Sequence, residues 1–587
     1  MQCRNEPRYH HGYGIRCMAE RNRERSDQTR SDGQGMNGME HPLLHGTDGI
    51  RGAVGAAPTN DVEALKAIVE YREVNGRAFM LLGMAFAEVL NEDLGRQPKI
   101  VIGWDRRPGN AMLVSGLTDG LHQVGAEVIH GGLVATPGLH NSVIGTRADA
   151  GLMVTASHNP SSDSGVKFFD AAGRKSMPIF ERRVADTVWR IAHLEENREP
   201  DPELCLPDKM VNAERGHRNT LAKRFDGIAD DFSLDYTSIN WSETLGTSEL
   251  LLDSSGGAAA EWFATGLARR GIPFREVSDV NSPLNENCGA GDLSPTDSWT
   301  WDEMQTNQHR LLRELGELHG TKTPVSGSLI GAALDGDGDR CLLIEAINGG
   351  AKVVDGDQMA DDLMRAWSAS GTEQMTAAFS IETDLALTAS IDRLRSKVII
   401  HECAVGDRWL TEALGSEDLS GASWPKIIGA EDSGHLVLAS PHPVNDDEWS
   451  LVGDGAATLI SQLMARAALN TTDVVPAFTS GWKRRVSIRG TDRSRWTGVG
   501  PITDRIEEII QTALKGRTVN LERRGVEGEP GLFLLRGDID GIETSFGIRN
   551  SGTEAKTSLS IRAKSELDGL EEIAEKISDL LQIELVP

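Results

Sequence analysis

Between Leu334 and Cys341 the sequence LDGDGDRC places Asp335, Asp337 and Asp339 at alternate positions, spaced by glycines and flanked by the apolar runs SLIGAAL and CLLIE. Three carboxylates in one loop repel each other unless a hard cation binds among them, so oxygen ligation of Mg²⁺ is the chemistry these residues suit. An EF-hand would need glycine at the sixth loop position and glutamate at the twelfth, where Arg340 and Ala346 stand. The flanks also read as strands rather than helices. A lookalike, DGDQ at Asp355–Gln358, opens a helical pattern and reads as a helix cap.

Four other loops bring glycine and polar side chains together. In VTASHNPSSDSGVKF, Ser157 precedes His158 and Lys167 follows ten residues on; taken alone, this is ordinary turn composition. GTDGIRG, from Gly46 to Gly52, sets Arg51 between small neighbours. GAEDSGH, from Gly429 to His435, offers Glu431, Ser433 and His435 on a glycine-hinged loop, a set suited to sugar hydroxyls. GIRNSGTE arranges Arg549, Ser551 and Thr553 around Gly552: a guanidinium, two hydroxyls and backbone N–H groups, which together make a phosphate clamp. No GK[ST] Walker loop is present, which excludes a P-loop NTPase.

A loop serine, a three-aspartate metal site and a separate phosphate clamp are redundant in a simple phosphatase. They cohere if Ser157 carries a phosphoryl group bridged by Mg²⁺ to the aspartates while a second phosphate is held elsewhere. The substrate then becomes a bisphosphate midway, and the other phosphate returns to Ser157. Cationic neutralisation is most of what such a transfer requires. Lys167 is expected to take the proton of the attacking hydroxyl, which needs its pKa to fall under the influence of Mg²⁺ and Arg51.

The chain that must position these loops has 587 residues, enough for several domains. Its 88 acidic against 60 basic residues give a formal charge of −28, and only 15 of the cations are lysine. That charge excludes nucleic acid and anionic membranes as general partners. No apolar run reaches the ~18 residues of a membrane span; AFMLLGMAFAEVL reads as a buried helix. Cys3, Cys17, Cys205, Cys288, Cys341 and Cys403 are scattered without paired spacing, which fits a reducing cytoplasm. Residues 1–40 are polar and Arg-rich, without an apolar signal core, and read as a disordered tail. Beyond them, strand and helix patterns alternate as in βαβ units: DVEALKAIVEYREVNGRAFMLLGMAFAEVL reads as one long helical stretch, PKIVIGWD as a strand, AMLVSGLTDGLHQVG as a helix and AEVIHGG as a strand. Residues 200–241 read as an irregular linker or insertion, and from about Gly481 alternating strands close on a helix. The expected fold is α/β: three mixed-sheet domains at 41–200, 201–350 and 351–475, and an α+β domain at 476–587, around a central cleft.

GTDGIRG, GWDRRPG, TASHNP followed by GVKFFD, DGDGDR, GAEDSGH and RNSGTE, in this order, resemble the α-D-phosphohexomutase superfamily over nearly everything from His45 onward. The resemblance implies phosphoserine at Ser157, Mg²⁺ on Ser157, Asp335, Asp337 and Asp339, and a transfer site with Arg51, His158, Lys167 and Arg340. It also implies a sugar loop at Glu431, Ser433 and His435, and a phosphate site at Arg549, Ser551, Gly552 and Thr553. A hexose 1,6-bisphosphate is the implied activator and a phosphosugar the implied partner. GTDGIRG, NENCGAGDLSP and VGDRW at Val405–Trp409 look most like the phosphoglucosamine mutases, which interconvert glucosamine 6- and 1-phosphate. Ala430, Asp432, Ala555 and Ser558 depart from that pattern. The alternatives are a phosphomannomutase/phosphoglucomutase and, from another class, a non-catalytic sugar-phosphate scaffold.

Overall fold

The computed structural model describes residues 41–46, 48–194, 204–470, 474–551 and 555–587; the tail expected at 1–40 lies outside them. Leu43–Pro587 forms one compact unit containing four sheets. The first runs Glu73–Val74, Ile50–Val54, Asp163–Asp170, Ala150–Val154, Lys99–Trp104, Glu127–Leu133, Lys209–Met210. Its centre has the expected βαβ form, because Lys99–Trp104 pairs in parallel with both Glu127–Leu133 and Ala150–Val154. Asp163–Asp170 runs antiparallel to its neighbours, which sets Lys167 opposite Met153.

The second sheet is ordered Ser298–Thr300, Gly350–Val354, Cys341–Ile347, Leu329–Leu334, Leu250–Asp253, Phe274–Glu276, and the third Lys397–Cys403, Gln374–Ser380, Ile427–Ala430, Leu436–Pro441, Trp449–Gly453. The fourth, Trp482–Arg489, Lys556–Ala563, Ile542–Asn550, Phe533–Ile539, Val519–Arg523, is wholly antiparallel and carries the helices Pro501–Ala513 and Leu570–Leu585. The architecture is therefore mixed α/β in four domains, the last α+β. No helix among the described residues is long and apolar enough to cross a membrane.

Two elements differ from the sequence expectation. The long helical stretch after Asn60 is broken: Asp61–Lys66 passes into a π-helical turn, Ala67–Tyr71, which stops at Arg72 with φ 55°. Glu73–Val74 then pairs with Ala53 and Val54 before Asn75 caps Gly76–Leu94, its side chain accepting from Ala78 N. Strand pairing and a cap override a continuous helical pattern. The segment expected to be irregular holds a 19-residue helix, Ala213–Asp231. Its buried stripe of Leu221, Phe225 and Ile228 has helical spacing, hidden in sequence by the surrounding charge.

Leu334 and Cys341, which bracket the three-aspartate loop, share one buried cluster with Leu436, Ala456 and Ile460 of the third domain. The metal loop and the sugar loop are thus held on a common core rather than across a flexible joint.

Candidate active site

Leu334 pairs with Cys341 at the end of an antiparallel ladder, so Asp335–Arg340 must turn within a short loop, with Gly338 at φ 72°. The three aspartates are buried and their carboxylate oxygens lie within 4.8 Å of one another. Asp335 Oδ2 and Asp337 Oδ1 have no hydrogen-bond partner among the described residues. Burial, followed by the charges of Asp339 and Asp337, drives the Asp335 carboxyl well above the carboxylate range. Orphaned oxygens on crowded buried carboxylates are what a hard divalent cation would satisfy, so these residues fit Mg²⁺.

Ser157 stands against this loop. It is 1% exposed, in the left-handed region at φ 51°, a conformation costing roughly 1–3 kcal/mol for a non-glycine residue. The surroundings hold it there. Ser157 N donates to Thr155 Oγ1 at 2.9 Å, while Arg107 Nη2 and Asn285 Nδ2 donate to Ser157 O at 2.7 and 2.6 Å. Arg107, paired through Nε with Asp105 at 3.0 Å, also binds the carbonyls of Asn159, Pro160 and Asp163. The Ser157 hydroxyl donates to Asp337 Oδ2 at 3.2 Å and accepts from Arg51 Nη2 at 3.2 Å.

Asp337 Oδ2 also accepts from Thr136 Oγ1 at 2.7 Å and Lys167 Nζ at 2.8 Å. Lys167 reaches Asp339 at 2.9 Å and Asp48 at 3.2 Å as well. Without a cation, burial lowers the ammonium, but Asp337, Asp339 and Asp48 outweigh it and leave Lys167 raised. A second buried lysine, Lys175, bridges Asp48 at 3.0 Å, Asp339 at 3.2 Å and Asp407 at 2.8 Å. Burial, then Arg340 and Arg51, keeps His158 well below the ordinary imidazole value, hence neutral, and its Nδ1 has no partner among the described residues.

The sugar-type loop is tied directly to the metal loop. Gly434, at φ 88°, closes a turn in which its N–H donates to Glu431 O, and Cys341 N donates to Gly434 O at 3.0 Å. A β-carbon on Gly434 would lie 2.3 Å from Cys341 O. His435 sits between Asp339 (3.0 Å from Nε2) and Glu431 (3.2 Å from Nδ1). Against burial and Arg340, these carboxylates raise it to about 9, so it is an imidazolium at neutral pH and donates to both. The Nε of Arg340, 3.3 Å from His435 Nε2, is then a like-charge approach balanced by Asp335 at 3.7 Å. Glu431 Oε1 accepts from Gly406 N at 2.6 Å, and Ser433 is half-buried on the same turn.

Arg51, Ser157, His158, Lys167, Asp335, Asp337, Asp339, Arg340, Glu431 and His435 therefore converge, as expected from sequence. Arg549, on the strand Ile542–Asn550 of the fourth sheet, donates from Nε to Glu382 Oε1 at 2.9 Å, and Ser551 follows that strand; Gly552 and Thr553 lie outside the described residues. Sequence reasoning missed Asp48, Thr136, Lys175 and Asp407 as charge and hydrogen-bond partners, and gave Arg107 and Asn285 no role. Lys175 had a readable signal. The turn DAAG, Asp170–Gly173, folds the chain back, bridging Phe169 to Lys175 beside Lys167.

NENCGAGDLSP braces the serine loop from the second domain through Asn285 and through Gly291, where a β-carbon would lie 2.5 Å from His158 Cβ. Gly291→Ala is expected to shift His158 and Ser157 against the aspartates and to lower kcat by roughly 100-fold. Unchanged circular dichroism with this loss, read by steady-state assay, is the expected outcome.

Residues 42–195 match the family described as phosphoglucomutase/phosphomannomutase, alpha/beta/alpha domain I. The phosphoglucosamine mutase of Thermobifida fusca (strain YX) is 26% identical over 550 residues, covering 92% of this chain and 98% of that one. That of Corynebacterium aurimucosum is 29% identical over 433 residues, covering 72% and 79%. Among solved structures, a phosphoglucomutase/phosphomannomutase family protein from Burkholderia thailandensis superposes with a TM-score of 0.58 at 18% identity, covering 92% of this chain and 97% of that one. The open form of parafusin, a phosphoglucomutase from Paramecium, gives 0.58 at 17% identity, covering 94% and 96%. Residues 42–195 thus match the first domain of that family, and the chain is similar nearly end to end to phosphoglucosamine mutases, on a fold shared with solved phosphohexose mutases.

Proposed function

We propose that this enzyme interconverts glucosamine 6-phosphate and glucosamine 1-phosphate through a phosphoserine at Ser157 and a 1,6-bisphosphate intermediate that also serves as activator. The observation that carries this reading is the position of Ser157 Oγ, 3.2 Å from both Arg51 Nη2 and Asp337 Oδ2, beside carboxylates with unmatched oxygens. Ser157 Oγ holds the phosphoryl group and gives it to the free sugar hydroxyl. Arg51, Arg340 and neutral His158 surround that group with positive charge and a hydrogen-bond donor. Lys167 Nζ is the group placed to hold the hydroxyl proton during transfer. Asp335, Asp337, Asp339 and Ser157 would hold Mg²⁺, which when bound neutralises the transferring group and takes charge from the carboxylates that now raise Lys167. Glu431, Ser433 and His435 orient the sugar, and Arg549, Ser551, Gly552 and Thr553 grip the phosphate that is not being transferred. The bisphosphate then turns over and returns its other phosphate to Ser157.

The amino sugar is favoured by the names of the relatives and by the VGDRW segment, which supplies Gly406 N to Glu431 and Asp407 to Lys175. The scatter of the six cysteines without paired spacing supports a cytoplasmic setting.

The test is isomerisation of glucosamine, glucose and mannose phosphates by purified protein with Mg²⁺ and the matching 1,6-bisphosphate. Preference for glucosamine phosphate is expected. Preference for glucose or mannose phosphate would assign the hexose reading, with Ala430 and Asp432 as the altered pocket residues. Binding without turnover of any of the three would leave only a scaffold. Arg549→Ala should raise KM by roughly 10- to 100-fold, the worth of about 1.5–3 kcal/mol in charged hydrogen bonding. Phosphorylation of Ser157 by the bisphosphate, read by mass spectrometry, should persist in that variant.

A further inference from the structure

Arg549 is one of three guanidiniums from the fourth domain gathered around a single carboxylate from the third. Glu382 follows the strand Gln374–Ser380 and is 7% exposed. Its Oε1 accepts from Arg549 Nε at 2.9 Å, and its Oε2 lies 3.0 Å from Arg485 Nη2. The third guanidinium, Arg562, is 3% exposed. Its Nη1 donates to Thr383 O at 2.7 Å and its Nη2 to Ser545 Oγ at 3.0 Å, while Nε has no partner among the described residues. Burial would raise the Glu382 carboxyl, yet Arg485, Arg549 and Arg562 hold it far below its usual range.

Three guanidiniums this close repel each other, and a carboxylate between them removes that repulsion at fixed geometry. Asp432, 3.6 Å from Arg485 Nη1, and Glu529, whose charge also acts on Arg549, are further carboxylates beside this group. Glu382 also binds Arg549 at Nε alone. A guanidinium presents its donors on separate edges, so the Nη edge stays available to a second anion.

We propose that Glu382 is the positioning residue of the phosphate clamp: from across the domain boundary it holds Arg549 by Nε and Arg485 by Nη2, so that the Nη edge of Arg549 meets the phosphate not being transferred. Glu382 stays in place when that phosphate binds, because the two anions use different edges. The inference rests on the reading of Arg549 as a phosphate ligand, and it adds a residue for which none of the sequence motifs accounts.

Glu382→Ala and Glu382→Gln in the full-length protein test it. Glutamine retains an acceptor for Arg549 Nε without the charge. For Glu382→Ala, KM for the phosphosugar should rise roughly tenfold or more, as when an outer partner of a ligand-binding group is removed, with kcat within about twofold. Glu382→Gln should recover most of that loss. The Kd of glucose 1,6-bisphosphate, measured by calorimetry, should follow KM across both variants. An unchanged or lower KM and Kd in Glu382→Ala would overturn the proposal, a lower value marking Glu382 as a competitor of the phosphate. A loss confined to kcat, or equal losses in both variants, would also overturn it. If Glu382→Ala does not fold, Arg485→Gln replaces it with the same expected rise in KM and Kd. Failure of the mutase reading is seen separately, as wild-type protein that binds the bisphosphate without turning over any phosphosugar.

Discussion

Replacing Ser157 with alanine is expected to reduce phosphosugar isomerisation to background, a loss of roughly 10⁴- to 10⁶-fold by comparison with other enzymes deprived of their nucleophile. The reason is local. Ser157 Oγ is the atom that lies between Arg51 and the three-aspartate loop, and the neighbouring threonine hydroxyls among the described residues are engaged elsewhere: Thr155 Oγ1 is committed to Asp105 at 2.6 Å and Thr136 Oγ1 to Asp337 at 2.7 Å. The fold should survive. The loop is held by its backbone, through Arg107 and Asn285 on Ser157 O, and an alanine keeps those contacts. Circular dichroism and bisphosphate binding close to wild type, with no phosphate incorporated on incubation with bisphosphate, is the full expected pattern. Turnover at even a tenth of the wild-type rate would sink the phosphoserine mechanism.

The second large effect is expected from the cation. Dialysis against a chelator should abolish turnover and Mg²⁺ should restore it. The same addition should raise the thermal midpoint, since a ligand at 100 times its Kd contributes about 2.7 kcal/mol to whichever state binds it. The physical basis is the frustrated loop itself: three buried carboxylates, two with orphaned oxygens, opposed by Lys167, Lys175, His435 and Arg340. Asp335→Asn removes one ligand charge and the strongest source of mutual repulsion. It should therefore stabilise the cation-free protein, abolish the Mg²⁺-dependent rise in midpoint and lower turnover by at least about 100-fold. A variant that still shows the full midpoint rise would remove Asp335 from the cation site.

Much of the fold was readable because it rests on local pattern. Apolar runs bounded by glycine gave the parallel strands of the first sheet, and Asp355 does cap the helix Gly356–Ala369, its side chain accepting from Gln358 N. The break at Arg72 was not readable. A two-residue strand owes its existence to pairing with Ala53 and Val54, more than 15 residues away in sequence. The helix at Ala213–Asp231 was obscured for a related reason: its apolar stripe is narrow, and its burial depends on packing against the core that the second and third domains share.

The candidate site divides along the same line. Residue types and spacing carried the chemistry of each loop: the aspartates at alternate positions, the serine on a turn, the hydroxyls around Arg549. Such signals are local, because a carboxylate's need for a cation or a glycine's permission for a tight turn does not depend on distant chain. What the fold alone decided is which loops face each other and what charge each group bears. Asp48 meets Asp337 and Asp339 on Lys167 from a loop distant in sequence, so that without a cation its ammonium is held up. Glu382 and Arg549 are 167 residues apart and join only because the third and fourth domains abut. Electrostatic energies fall with distance through space, not along the sequence, so the motifs could specify the reacting groups while their protonation, orientation and partners waited on tertiary packing.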